Sequence, residues 1–289
     1  MRKSSTVAMS RIENFKEHKL TIGLDLGDRF SHYCILNESG EVIGEHNLPT
    51  TPKGIDDVFG RIPCSRIALE TGTHSPWVSR QLAPLGHEVI VAHARNVRLI
   101  GDSSRKDDQL DARTLARLAR IDPGLLGPVQ HRSAKAQIHL TVIRARSGLV
   151  GARTALVNAA RGLTKSYGER LQKCGTQQMN REMAKGLSQE LRDALDPLLG
   201  EIESLNERIA EYDRRIEQIA KEIHPQVALL KQVKGVGTLI ALTYVLTPDD
   251  PHRFRRLAMR GALLVQGAHY ILGPFGEDSV DARRLLAAY

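Results

Sequence analysis

Short strands alternating with helices up to about residue 125, then long helices without further strand signals, predict an α/β domain followed by a helical region. Three strand-like runs come first. LTIGLDLG is an apolar run ending in glycine, SHYCILN continues after a turn, and EVIGEHNL follows the Ser39-Gly40 turn signal, so residues 20–48 read as a three-stranded meander. A helix over 53–61 leads to the β-branched segment RIALET, and a helix after Pro76 leads to HEVIVAH. KDDQLDARTLARLA carries apolar residues at Leu110, Leu115, Leu118 and Ala119 with no breaker, which predicts a helix starting near Asp107 or Asp108.

Beyond Ser133 the pattern is helical. Leu191, Leu195, Leu198, Ile202, Leu205, Ile209, Tyr212, Ile216, Ile219 and Ile223 are spaced alternately by four and three, the seam of a coiled coil. Pro197 and Gly200 interrupt its first turns, so the uninterrupted helix is expected from about 198 to 223, ending before Pro225. Such a seam packs against a helix of the same chain or against a second copy, and the sequence leaves both open. Further on, Gly235 and Gly237 sit between two apolar stretches, either as a tight helix–helix turn or as backbone N–H groups facing a phosphate. The domain reading is a tail over 1–19, an α/β domain over 20–125, a helical region over 126–226 and a C-terminal part over 227–289.

The 289 residues are 41% hydrophobic and 26% charged, an ordinary globular composition. No stretch approaches the roughly 18 apolar residues of a membrane span, and MRKSSTVAMSRIENFKEHK lacks the apolar core of a secretory signal, so a cytoplasmic protein without a membrane partner is expected. Cys34, Cys64 and Cys174 are scattered, fitting neither a disulfide framework nor a zinc site. No Walker-type phosphate loop occurs. Lys and Arg outnumber Asp and Glu by 41 to 33, and from Arg132 to Lys173 nine basic residues face one acid, Glu169. This is either a solvated helix face or a phosphate-binding stripe, for which Arg144, Arg146, Arg153, Arg161 and Lys165 are the candidate contacts.

The acids give the chemistry. Asp25 lies within the first strand, flanked by apolar residues, where a carboxylate is costly unless paired or bound to metal. Glu70 ends the strand RIALE, the place where functional side chains leave α/β sheets. Asp108 and Asp111 are three apart, on one face of a helix, where like charges repel unless a cation offsets them. Individually each is unremarkable: Asp108 suits an N-cap, Asp111 a surface position, and Asp28 and Asp107 are solvated neighbours. In order, they are the parts of a two-metal phosphodiester site, and hard oxygen donors suit Mg²⁺ or Mn²⁺.

On these residues the sequence resembles the insertion-sequence transposases of the "one-ten" group, through IGLDLGDRFSHYCIL, ALETGTHSPW, KDDQLDARTLARLARIDPGLL, GVGTLIALTYVLTPDDPHRF and LLVQGAHYILGPFGEDS in the right order. The resemblance places a DEDD tetrad on Asp25, Glu70, Asp108 and Asp111, with Lys106 and Ala112 also matching a Lys-x-Asp-x-x-Asp-Ala motif and Asp107 at its variable position. It implies an RNase H/RuvC-like N-terminal domain, a helical coiled-coil middle and a small helical C-terminal domain. It also implies DNA as substrate, an element-encoded guide RNA as partner, a homo-oligomer, and a C-terminal serine that links covalently to DNA. This chain departs from the pattern between Arg256 and Ala262, where LAMRG stands in place of the several dozen residues that carry a Gly-x-Ser-Lys-like motif in relatives. The incomplete C-terminal domain puts strand transfer in question, and Ser279 does not match the nucleophile. A non-catalytic nucleic-acid-binding remnant and a RuvC-like metal-dependent nuclease are the alternatives. An actin-like ATPase shares the meander with an early Asp but needs a second glycine-rich phosphate turn.

Overall fold

The structure, a computed structural model, describes residues 20–96 and 108–250, with only the backbone of 108–110. It divides into two compact units, one ending at His131 and one beginning at Arg132.

The first unit is built on a five-stranded sheet of order β3-β2-β1-β4-β5, with β1 at Thr21–Asp25, β2 at Phe30–Leu36, β3 at Val42–Pro49, β4 at Arg66–Glu70 and β5 at Glu88–Ala92. The meander β1-β2-β3 is antiparallel, and β4 and β5 continue parallel to β1. Parallel strands need crossovers, which the intervening helices supply. Helix α1 (Pro52–Phe59) starts with Thr51 accepting from Gly54 N–H and with Pro52 in its first turn, where the missing N–H costs nothing. Helix α2 spans Ser75–Leu82.

The two-residue period of the strands splits them into two faces. Ile22, Leu24, Tyr33, Ile35, Ile67, Leu69 and Val91 form the main core with Ile55 and Phe59 of α1 and Val78 and Leu82 of α2. The opposite face carries Gly23, Cys34, Ala68, Ile90 and Ala92, and is covered by helix α3 (Asp108–Ile121) through Ala112, Leu115, Ala116, Leu118 and Ala119. Small residues on both surfaces bring helix and sheet unusually close. At Gly23 even a methyl group would fall on the Ala112 carbonyl and lie 2.5 Å from the Ala116 nitrogen.

The second unit is a helical hairpin with a cap. Helix α4 (Ala134–Ser166) begins with Ser133 accepting from Ala136 N–H, and α5 (Gln189–Ile223) runs back along it. The antiparallel sense follows from the cross-pairs His139 with His224, Arg146 with Asp213 and Arg153 with Asn206. A short helix, α6 (Val227–Leu230), and α7 (Thr238–Leu246) add Val227, Ala241, Leu242 and Leu246 to the core formed by Leu140, Ile143, Ile216 and Ile219. The apolar seam of α5 is thus used within the chain. No helix of the described residues is long and apolar enough to cross a membrane.

Two expectations for α5 are corrected. The helix is continuous from Gln189, with Pro197 inside it, rather than beginning near 198. Loss of the Pro197 N–H costs up to about 3 kcal/mol, but Leu195, Leu199 and Ile202 on the surrounding turns are buried against Val157, Ala160 and Met179. Arg181 also pins the stretch from outside, donating to Asp196 at 2.7 Å and to Glu203 at 2.6 Å, with its guanidinium lying over Gly200. Leu199, not Leu198, is the buried seam residue at this level. The region after residue 250, including the LAMRG junction and Ser279, lies outside the described residues.

Two outcomes follow. Gly23→Ala should destabilise the first unit by about 3 kcal/mol or more, because both atoms it strikes are backbone and cannot swing aside; thermal unfolding compared with Gly44→Ala, where the nearest atom is 3.5 Å away, measures it. In the second unit, truncating Asn206 to Ala should cost about 1–3 kcal/mol in urea unfolding, since buried Arg153 loses its Asn206 acceptor.

Candidate functional site at the carboxyl edge of the sheet

Asp25 is the last residue of β1 and Glu70 the last of β4. The two strands are adjacent and parallel, and their register pairs Gly23 with Ala68 and Leu24 with Leu69. One step further, Asp25 and Glu70 stand side by side, at about the 4.8 Å spacing of neighbouring strands. Alternation puts both on the Gly23/Ala68 face, the face that α3 covers. Each is half-buried.

The direction of α3 brings the other two acids to the same edge. Near its C-terminus the Ala119 carbonyl accepts from Arg66 at the start of β4, at 3.2 Å, and the Arg120 side chain reaches Gly40 in the β2–β3 turn. With Ala119 beside the start of β4 and Ala112 seated on Gly23 near the end of β1, the helix runs opposite to β1 and β4, and its first turn lies toward the ends of those strands. Asp111 is exposed and directly precedes Ala112, the residue seated on Gly23. Asp108 opens the helix, and its side chain lies outside those described, as do Lys106 and Asp107. Among the described residues, no group of three or more His, Cys, Asp or Glu side chains is arranged to hold a metal. The donor chemistry of the edge, all carboxylate oxygen, suits a hard divalent cation; the described side chains alone do not complete its shell.

A clamp beside this edge fixes α3 laterally. Arg113 donates to both carboxylate oxygens of Glu45 on β3, at 2.8 and 2.7 Å. The guanidinium holds the Glu45 carboxyl below the usual carboxylate range, and Glu45 in turn keeps Arg113 protonated. Cys34, opposite Glu45, is buried, and burial with the neighbouring carboxylate pushes its thiol up to about 12. At neutral pH it is an inert thiol, neither nucleophile nor metal ligand. Nothing in the sequence marks this clamp, because it joins residues 68 positions apart.

The basic residues of α4 separate into two groups. Arg144 and Lys165 are exposed. Arg146 instead binds Asp213 at 2.5 Å, Arg161 donates to the Cys174 carbonyl at 2.7 Å, and Arg153 is buried with Asn206 accepting at 2.8 Å. The expected surface stripe is corrected accordingly: Arg153 is an interior residue, because the hairpin register turns that face of α4 toward α5. Gly235 adopts φ +92°, and Gly237 precedes α7 with buried Val236 between them, so this segment is a tight turn into the helix.

An α/β sheet whose carboxyl edge gathers acids from two central strands and a covering helix, followed by a helical hairpin unit, defines the class. The profile of the DEDD transposase family of the IS110 group, described as "Transposase", matches residues 22–168, half of the chain, and the protein belongs to that family. It is similar to the transposase for insertion sequence element IS1111A of Coxiella burnetii, 24% identical over 90% of this chain and 71% of the relative. It is also similar to a probable family 20 transposase of Pseudomonas aeruginosa, 27% identical over 81% of this chain and 70% of the relative.

The Glu45 clamp has a defined pH signature. A carboxyl whose folded pKa is depressed stabilises the protein above its unfolded pKa, near 4.5, and loses that contribution as pH falls through the folded value. Glu45→Gln should therefore be less stable than the parent by about 1 kcal/mol at neutral pH, with the gap closing progressively below pH 4.5; urea midpoints across an acid series test it.

Proposed function

We propose that this protein acts on DNA as the transposase of an insertion sequence, with Asp25, Glu70, Asp108 and Asp111 as its catalytic and metal-holding residues. The observation that carries the reading is the convergence of two strand ends and the first turn of α3 at one edge. The strand order, three antiparallel strands followed by two parallel ones, is consistent with an RNase H/RuvC-like domain, the scaffold on which such an edge belongs. The family match and the two transposase relatives support the substrate class.

Asp25 and Glu70, on rigid strand ends, would hold Mg²⁺ or Mn²⁺ from below, and Asp108 and Asp111, three apart on α3, would hold it from the helix. When bound, such an ion activates an attacking oxygen and stabilises the leaving one. The protein's own part is positional. The Gly23 contact sets the depth of α3, the Arg113–Glu45 clamp sets its lateral place, and together they fix the separation of strand and helix carboxylates. Exposed Arg144 and Lys165 supply phosphate contacts on the helical unit, and an element-encoded guide RNA and a second copy of the chain are the proposed partners. LAMRG, standing between PHRFRR and ALLVQGAHYI, favours one other reading, a binding remnant that occupies nucleic acid without strand transfer.

Asp25→Ala should abolish Mn²⁺ binding at the edge and any Mg²⁺-dependent cleavage of element-end DNA in the presence of the flanking transcript; unchanged Mn²⁺ affinity would sink the metal assignment. Cleavage lost in the variant supports the transposase reading, whereas nucleic acid bound without cleavage by the parent supports the remnant. Arg144→Ala with Lys165→Ala should weaken binding at all sequences and lower the slope of log K against log salt by about 1 for each phosphate contact removed. An unaltered slope would return these two residues to an ordinary solvated face.

A further inference from the structure

Two loops leave the sheet beside Asp25 and Glu70: one follows β1 and carries Asp28, the other follows β4 and carries His74. The second loop is locked. Ser75, fully buried, accepts from the Gly72 N–H at 3.0 Å and donates to the Gly72 carbonyl at 2.9 Å, which fixes the backbone leading to His74. Trp77, one helical turn on, donates its Nε1–H to Nδ1 of His74 at 3.1 Å, with the two rings perpendicular and 6.1 Å apart.

That hydrogen bond decides where the imidazole proton sits. Nδ1 is an acceptor, so in the neutral ring the proton is on Nε2. Nε2 lies 3.7 Å from Asp28 Oδ1, beyond hydrogen-bond length. The His74 side chain is 27% exposed and that of Asp28 94% exposed. An oriented donor is therefore accessible where the loops of the two carboxylate-bearing strands meet. With Nδ1 engaged and Nε2 protonated, the ring has no lone pair for a metal, and its ligand must be a hydrogen-bond acceptor.

We propose that His74 donates Nε2–H to a non-bridging phosphate oxygen of a DNA strand lying across Asp25 and Glu70, with Trp77 as the positioning residue that sets the tautomer. The inference rests on the carboxylate reading above. A neutral donor suits this place: the strand needs an anchor beside several carboxylates, and a second anion-binding cation would instead pair with them. Asp28, beyond hydrogen-bond length in the free protein, leaves Nε2–H open to the phosphate.

The test uses the full chain with ¹⁵N-labelled histidine, long-range ¹H–¹⁵N spectra of the imidazoles, and a short single-stranded DNA added in Ca²⁺. The expected result is a His74 ring protonated on Nε2 in the free protein, whose signal moves on DNA addition and fails to move when methylphosphonate DNA replaces the natural strand. His74→Ala should weaken binding about tenfold, His74→Gln should retain most of it because the amide nitrogen can stand in for Nε2–H, and Trp77→Phe should mix the tautomers while keeping the ring. A ring protonated on Nδ1, a His74 signal unmoved at saturating DNA, or a shift that persists with methylphosphonate DNA would overturn the proposal. Mn²⁺ in place of Ca²⁺ separates the two readings. Broadening of His74 in the parent but not in Asp25→Ala upholds the carboxylate site even if DNA leaves His74 unmoved, whereas no broadening in either sinks the carboxylate reading and leaves the DNA response of His74 to be judged alone.

Discussion

The closest contact of α3 with the sheet is made through small residues, and in the proposed reading the arrangement of the acidic edge depends on it. Gly23, Ala68 and Ala92 on the strands face Ala112, Ala116 and Ala119 on the helix. At Gly23 the two backbones meet directly, with no flexible side chain between them to yield. The helix is then tied near both ends, by Arg113 to Glu45 and by Arg66 to the Ala119 carbonyl. Carboxylates gathered at one edge repel one another, and a scaffold that could relax would let them separate.

The helical unit solves a different problem with similar means. Its long helices bury an apolar seam, yet that seam alone does not set register, since a slide by one heptad presents another similar set of residues. Polar pairs do: Arg146 with Asp213, Arg153 with Asn206 and His139 with His224 are satisfied in one alignment. Burying Arg153 is costly, and burial lowers its pKa. A misaligned hairpin that left it without Asn206 would cost more, so the buried cation acts against slipped registers. Arg146 and Arg153, two basic residues of α4 that look available for phosphate, are thereby spent on structure, while Arg161 donates to the Cys174 carbonyl and Arg132, just before the helix, to the Thr247 carbonyl.

Legibility in the sequence followed the range of the interactions. Strand and helix periodicity is local, so the meander, the two parallel strands and α3 were readable, as was the placing of Asp25 and Glu70 on strands and of Asp108 with Asp111 on a helix. Continuity of α5 through Pro197 was not, because the stabilising partners, Arg181 and the residues around Val157, lie outside the helix. The basic stripe misled because charge along a helix says nothing about which face a partner helix covers. The Arg113–Glu45 clamp was illegible from one sequence. The His74–Trp77 pair had a readable signal in its three-residue spacing within HSPW, but its value became visible only once β1 and β4 were known to be neighbours.

The electrostatics of the edge then constrain how a nucleic acid can approach it. The carboxylates and Asp28 oppose a polyanion, and in the proposed reading a divalent cation offsets most of that field. The remaining protein contacts work best if they orient the strand without adding a full positive charge, which would pair with the carboxylates and be lost to the DNA. A neutral imidazole held by Trp77 as an Nε2–H donor meets that condition. In the proposed reading the strong cations come from the second unit, through exposed Arg144 and Lys165. In that reading the neutral donor orients the strand at the carboxylates and the cations of the second unit hold it through its phosphates.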